Sequence, residues 1–324
     1  MTALTRNVWL APAVALAALF SLLTLVDLRG PVVPLSGGVG AWASITVAIT
    51  VQALPFLVLG VLVSATIAAF VPAELLGRVT PRNPFVAVPV VGASGIVLPG
   101  CECASVPVAQ SLIRRGLPPS AALAFLLASP AINPVVLVST AVAFQGNPLM
   151  VWARLVASLL TVIIVGWVWV SLGDESWMRP QGSAAPSRAG RGEVFRATAV
   201  HDLLNAGGYL VVGAMAAATL KTFVAQDWVL RLAERPLAAV LVMALLAVVL
   251  SLCSEADAFV AASLTSISPT AQLAFLVVGP MVDVKLVAMQ VGAFGAPFAR
   301  RFMPLTFVVA VFCAFFIGRA FFGS

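Results

Sequence analysis

The sequence predicts an all-α polytopic membrane protein. It is built as two inverted-topology repeats, each with a broken helix or re-entrant hairpin, plus an extra N-terminal helix. Three observations carry this prediction. First, 61% of the 324 residues are hydrophobic and 9% are charged, against about 45–50% and about 25% in soluble domains. So few charges cannot coat a water-exposed surface, which excludes a soluble enzyme, a secreted domain and a disordered chain. The continuity of the apolar runs excludes an outer-membrane barrel, whose strands alternate polar and apolar residues. Second, the apolar runs at 8–26, 44–71, 84–113, 119–143, 149–172, 203–224, 237–264, 269–293 and 302–322 mostly reach the roughly 20 residues of a membrane crossing. Third, the two halves of the chain resemble each other.

The elements follow in order. The run 8–26 comes after Arg6 and no small-residue cleavage site follows it, so it reads as a retained helix and not as a signal peptide. It forms an N-terminal unit, 1–43. The first repeat spans 44–172. Its run 84–113 is interrupted by Pro99-Gly100-Cys101-Glu102-Cys103 and then by Pro107. Residues 173–202 are rich in Gly, Ser, Pro and Arg and lack apolar periodicity, as a flexible cytoplasmic linker would. The second repeat and the C-terminal helix span 203–324. There the run 237–264 is interrupted by Cys253-Ser254-Glu255-Ala256-Asp257.

Each interrupted run is either one crossing with an unwound centre or a hairpin that enters and leaves on one side. Arginine placement arbitrates. With two hairpins and a cytoplasmic N-terminus, Arg6, Arg78, Arg82, Arg114, Arg115, Arg179, Arg188, Arg191, Arg196, Arg300 and Arg301 fall inside, which is 11. Arg29, Lys221, Arg231, Arg235 and Arg319 fall outside, which is 5. With two full crossings the split is 8 against 8. The positive-inside bias favours hairpins, and the net charge of +6 reflects cytoplasmic loops rather than an affinity for nucleic acid.

The internal similarity is ordered. A shift of 150 residues lays 103–134 on 253–284 without gaps. Cys103 falls on Cys253, Pro119 on Pro269, Leu123-Ala124-Phe125-Leu126 on Leu273-Ala274-Phe275-Leu276, Pro130 on Pro280 and Asn133 on Asp283. A shift of 153 lays 55–71 on 208–224, matching Gly60 to Gly213 and Phe70-Val71 to Phe223-Val224. In the hairpin topology the repeats are inverted. Inverted repeats with interrupted helices at corresponding places belong to secondary transporters, with the site near the bilayer midplane.

The interruptions hold the chemistry. In Cys101-Glu102-Cys103-Ala104-Ser105-Val106-Pro107, proline suits a first helical turn. Ser105 is then a natural N-cap, opening a half-helix over 106–113. Helix N-termini attract anionic or electron-rich ligands. Carboxylates inside a membrane are costly, and are functional or paired. Glu102, Glu255, Asp257 and Asp283 are therefore candidate proton or cation coupling sites, with helix capping as the plainer role for Glu255 and Asp257. Cys101 and Cys103 face one side on extended backbone and point apart on a helix. With Cys253 they are candidate ligands for a soft metal or metalloid, against the plainer role of small buried hydrophobes, which suits Cys313. Ser105, Ser254 and Asn133 complete the candidate substrate site. Asn133 follows Ser129-Pro130 as Asp283 follows Gly279-Pro280, where proline frees helix carbonyls. Lys285 and Asp283, two residues apart, do not share a helix face; the lysine either snorkels to the cytoplasm or neutralises a buried carboxylate. Trp152, Trp167, Trp169, Trp177 and Trp228 read as membrane-interface anchors, and His201 as an interfacial residue. No phosphate-binding loop, paired zinc motif or nucleophile elbow is present, so no enzyme activity is expected.

Gly100 to Pro107, Arg114-Arg115-Gly116, Ala124 to Pro134, Cys253 to Phe259 and Gly279-Pro280-Met281 together resemble the predicted-permease family that includes the ArsP-type organoarsenical efflux permeases. The resemblance covers about 50 to 290. It implies a multi-pass permease of a bacterial-type cytoplasmic membrane that exports a metalloid species. Family members often have a small residue where this chain has Glu102, so the extra carboxylate makes a cationic metal more plausible. The expected function is gradient-driven export of a thiophilic metalloid or metal species. The rivals are transport of a divalent cation or small anion with structural cysteines, and membrane thiol–disulfide exchange. The expected partners are the lipid bilayer and a small-molecule or ion substrate, with a homo-oligomer compatible. No nucleic acid is expected, and no cofactor beyond coupled protons.

Overall fold

A computed structural model describes residues 38–72, 80–96, 101–178, 190–223, 236–265 and 267–323. The expected helix at 8–26 lies outside these residues, as do Trp228 and 179–189 of the expected linker. Twelve α-helices run in order among the described residues: α1 Gly38–Phe70, α2 Pro84–Ala93, α3 Glu102–Arg114, α4 Pro119–Ile132, α5 Pro134–Ala143, α6 Leu149–Leu172, α7 Arg191–Phe223, α8 Pro236–Leu250, α9 Ser254–Ser263, α10 Pro269–Val278, α11 Val284–Phe294 and α12 Ala296–Phe322. The described residues contain no strand. The chain is an all-helical polytopic membrane protein, as expected. Among the described residues, five stretches are long and apolar enough to cross a membrane: Val39–Phe70, Pro119–Ala143, Leu149–Leu172, Arg191–Thr222 and Ala296–Phe322. Without water to satisfy the backbone, closed helical hydrogen bonding is the form such sequences take in lipid.

Both interrupted runs are hairpins. Ala87 at the start of α2 shares a small cluster with Leu112 and Ile113 at the end of α3 and with Leu117, Ala121 and Ala122 at the start of α4. At the far end of α2, Gly95 abuts Ala128 and Ser129 late in α4. The chain therefore goes in along α2, comes back along α3 and goes in again along α4. In the second half, Gly279 past the end of α10 abuts Asp257 early in α9, while Gln272 early in α10 donates to the Leu264 carbonyl past the end of α9. The end of α8 meets the start of α11 where the Val284 N–H donates to Ser251 Oγ at 3.2 Å. So α8 goes in, α9 comes back and α10 goes in again.

Helix starts follow local chemistry. Proline opens α2, α4, α5 and α10 within their first two positions, where its missing N–H costs nothing. Asn133, Ser268 and Asp283 accept from the N–H of the third residue on, as N-caps do. One start differs from expectation. Helix α3 begins at Glu102 with Cys101 as its N-cap, so Ser105 lies inside the helix and its hydroxyl donates to the Glu102 carbonyl at 2.9 Å. Pro107 still fits near the helix start. It lacks the N–H that would bond the Cys103 carbonyl, and leaves that carbonyl without a ladder partner. Helix α7 begins at Arg191, so 191–202 of the expected linker is helical.

Two long pairs organise the bundle. Helices α1 and α7 run antiparallel against each other, and α6 lies against α12. The end of α6 and the start of α12 meet in an aromatic cluster, where Trp169 sits edge-on to Phe298 and Phe302 at 5.2 and 5.4 Å. Arg301 lies over Trp177 at 4.3 Å. Trp169 is thus buried in the core, because large apolar rings converge there. Trp152 and Trp167 are exposed, in keeping with the expected anchoring.

Candidate functional site

The two hairpin tips and the breaks in the two other inner segments meet at one place. Four helices begin there: α3 after Cys101, α9 after Cys253, α5 after Asn133 and α11 after Asp283. Asn133 Oδ1 accepts from the Val136 N–H at 3.0 Å, and its Nδ2 donates to the Ser129 carbonyl at 2.8 Å. Asp283 plays the same part for α11, accepting from the Leu286 N–H. Cys101 and Cys253 make no side-chain cap.

Lys285 is the hub. Its ammonium lies 2.6 Å from Glu102 Oε1 and 3.3 Å from Asp283 Oδ2. These two contacts are ion pairs between fully buried groups. The ammonium donates to the Ser251 and Leu252 carbonyls, at 3.1 and 3.0 Å. The other Glu102 oxygen accepts from Ser254 Oγ at 3.0 Å. Glu102, the first residue of α3, thus touches Ser254, the first residue of α9. Of the two readings left open for Lys285, neutralisation of buried carboxylates is the one found. It pairs with Asp283 despite their two-residue separation because Asp283 is extended, at φ −142°, and lies outside the helix.

A second cation stands beside the first group. Arg154 on α6 is fully buried. It donates to Thr140 Oγ1 at 2.7 Å and to the Ser254 carbonyl at 3.1 Å, tying α5 and α9 to α6. Asp257 is buried, and neither of its carboxylate oxygens has a hydrogen-bond partner. It lies against Gly279, in the space a side chain there would occupy. Glu255 is half-buried in the first turn of α9. Three fully buried carboxylates (Glu102, Asp257 and Asp283) therefore face two fully buried cations (Arg154 and Lys285). Unpaired charge at this depth is costly.

The thiols line the same centre. Cys101, Cys103 and Cys253 are buried and free, and the Cys101 and Cys103 side chains are near enough to interact. Extended backbone at Cys101, with ψ 172°, lets it turn to the side of Cys103. By helix position Cys253 corresponds to Cys101, both being N-caps, although ungapped alignment sets it on Cys103. Among the described residues no three His, Cys, Asp or Glu side chains gather closely enough to hold a metal ion. Cys313 is buried on α12, apart from this centre in the sequence.

The structure thus brings Glu102 into direct contact with Ser254 and joins it to Asp283 through Lys285, and places Cys101, Cys103, Cys253, Asn133, Asp257 and Glu255 at the surrounding helix starts. Ser105 bonds only within its own helix turn. Sequence reasoning missed Arg154 as a member of the site. Its signal was present: a lone arginine within the apolar run 149–172 is a costly residue that needs a partner.

Comparison with known proteins agrees with this architecture. The chain is 35% identical over 278 residues to the UPF0718 protein YcgR of Bacillus subtilis, covering 84% of this chain and 94% of that protein. It is 32% identical over 285 residues to a Streptococcus mutans protein whose name calls it a subunit of a two-component membrane permease complex, covering 85% of this chain and 94% of that one. No solved structure matches the fold. A family described as "Predicted permease" (ArsP_1) matches residues 39–318, nearly all of the described bundle, and the chain belongs to that permease family.

Proposed function

We propose that this permease is a gradient-driven secondary transporter of the cytoplasmic membrane that exports a thiophilic metalloid or metal species through the centre described above. The observation that carries the reading is the meeting of two hairpin tips at a buried charged cluster, joined by the Glu102–Lys285 contact of 2.6 Å. Half-helix ends facing each other near the midplane are the usual frame of a secondary-transport site. One excess buried carboxylate gives a seat for a coupling proton or cation, and Asp257, with no hydrogen-bond partner, is the group we assign to it. The neighbouring thiols Cys101 and Cys103 supply soft ligands. Two sulfurs also suit a site that must release its cargo better than a closed three-thiolate cage. The arginine-rich end is assigned to the cytoplasm.

The test is stabilisation of the purified protein against heat by trivalent methylarsenical, arsenite, Zn²⁺ or thiosulfate, beside a Cys101→Ser/Cys103→Ser/Cys253→Ser variant. An arsenical shift that vanishes in the variant supports the reading. Unchanged arsenical resistance in cells expressing Cys103→Ser at the wild-type level overturns it. A second reading, transport of a small anion, is favoured by the uncapped starts of α3 and α9 beside Lys285 and Arg154. It predicts a thiosulfate shift that survives the triple variant. The name of the streptococcal relative supports a second component for this chain as well, which co-purification from membranes tests.

A further inference from the structure

The twelve helices fall into two sets of six, α1–α6 and α7–α12, and replacing each helix by the one six places on reproduces most of the packing. Helix α2 on α4 becomes α8 on α10, α4 on α6 becomes α10 on α12, and α3 against α11 becomes α9 against α5. The pairs α1–α7 and α6–α12 map onto themselves. The largest part of the packing without a counterpart involves the α1–α7 pair. Helix α1 is packed on α3 and α7 on α11, yet α7 makes no more than glancing contact with α9, and α1 no more than glancing contact with α5. The α1–α7 pair is therefore seated mainly against α3 and α11, with a smaller contact of α7 on α8. These two helices run from the centre toward one end of the molecule, where Arg114, Arg115, Arg300 and Arg301 lie. Helices α5 and α9 run from the centre toward the opposite end.

The unoccupied seat has the makings of the occupied one. On α11, Lys285 and Ala288 pack on Gly213 of α7, and Gly292 receives the Tyr209 ring. Under the two sequence shifts these become Val135 and Val138 against Gly60, and Val142 against Phe56. Val135, Val138 and Val142 are 51%, 62% and 50% exposed, and Phe56 is 36% exposed, whereas Lys285 and Gly292 are buried. The occupied seat relies on Gly60, where any side chain would fall 2.5 Å from Ala104 Cα. Its counterpart pairs Gly213 with Ala256 when the helix starts are matched, or with Ser254 under the shift of 150. Both seats thus offer a glycine opposite a small residue.

We propose that the α1–α7 pair has two seats, and that transport exchanges them: packed on α3 and α11 it closes the arginine-rich end, and packed on α5 and α9 it closes the opposite end. This rests on the transport reading but not on its cargo. A latch biases the exchange. Arg114 at the end of α3 pairs with Asp202 of α7 at 3.1 Å, Ser64 of α1 donates to Asp202 at 2.6 Å, and Ser111 donates to the Ser64 carbonyl at 2.9 Å. The counterparts of Asp202 and Ser64 are Ile49 and Ala217, so the second seat has no ion pair and the structure rests in the first.

Oxidative cross-linking of the full chain in native membranes tests this. The pair Tyr209→Cys/Gly292→Cys reports the observed seat, and Phe56→Cys/Val142→Cys reports the exchanged one. An intramolecular link is expected in both, with Arg114→Ala speeding the second about fivefold, the factor set by loss of roughly one such interaction. A link at 209/292 with none at 56/142 overturns the proposal. So does a link between two chains through Val138→Cys, which would mean that a second copy covers this face of α5. Cross-linking reads the exchange itself, so a wrong cargo assignment leaves the result standing, while failure of the 56/142 link leaves the arsenical binding test untouched.

Discussion

Replacing Lys285 by Met is the sharpest perturbation of the centre. The ammonium neutralises Glu102 and Asp283 at 2.6 and 3.3 Å and satisfies the Ser251 and Leu252 carbonyls. Methionine fills a similar volume with no charge. Removing one partner of a buried ion pair costs about 3–5 kcal/mol, because the remaining charge is left uncompensated. Two carboxylates share this cation, but Asp283 keeps its bond from the Leu286 N–H and Glu102 keeps Ser254. We therefore expect about 4 kcal/mol, which at roughly 2–4 °C per kcal/mol lowers the melting temperature in detergent by about 10 °C. Adding Glu102→Gln to Lys285→Met removes one of the two stranded charges, the one that lay nearer the ammonium, since neutral or apolar replacement of a whole pair is far cheaper than breaking it. The double variant should recover about half the loss. A Lys285→Met protein as stable as wild type, or a double variant less stable than the single one, refutes the reasoning that this cluster is a charge-balanced unit.

Other outcomes follow from the same geometry. Gly60→Leu should destabilise by about 3 kcal/mol through overpacking against the Ala104 backbone, while Gly207→Ala, whose nearest neighbour is Leu57 Cδ2 at 3.8 Å, should be close to neutral; thermal melts of both separate the close helix crossing from a general need for glycine. Arg154→Met should cost about 3 kcal/mol by leaving the Ser254 carbonyl and Thr140 without their donor, read as a lower melting temperature with α-helical content kept. Asp257→Asn should preserve downhill exchange of cargo and abolish gradient-driven accumulation in proteoliposomes; full accumulation in the variant removes Asp257 from the coupling role.

The class of the fold was open to sequence reasoning because lipid leaves so few solutions: long apolar runs with almost no charge must satisfy their backbone as helices. The hairpins were legible for a similar reason. Arginines resist crossing the membrane, so counting them on either side favoured the topology that the packing of α2 and α3 on α4, and of α8 and α9 on α10, displays. Asn133 and Asp283 were found by their place after Pro130 and Pro280, and both cap a helix. What sequence could not settle was which groups meet. Lys285 had two credible fates, since a lysine can reach water along its own stem or turn inward, and only the position of Glu102 from a distant hairpin decides between them. Cys253 aligned with Cys103 but stands at the helix start like Cys101, because α9 is shorter than α3 and alignment without gaps cannot absorb the difference. Arg154 lay in plain view, yet its partners, Thr140 and the Ser254 carbonyl, come from helices brought together only by folding. Composition and periodicity act along the chain and determined the membrane helices, their breaks and the residues at those breaks; the meeting of buried charged groups with partners 100 or more positions away is a matter of three-dimensional packing, and tertiary structure alone decided it.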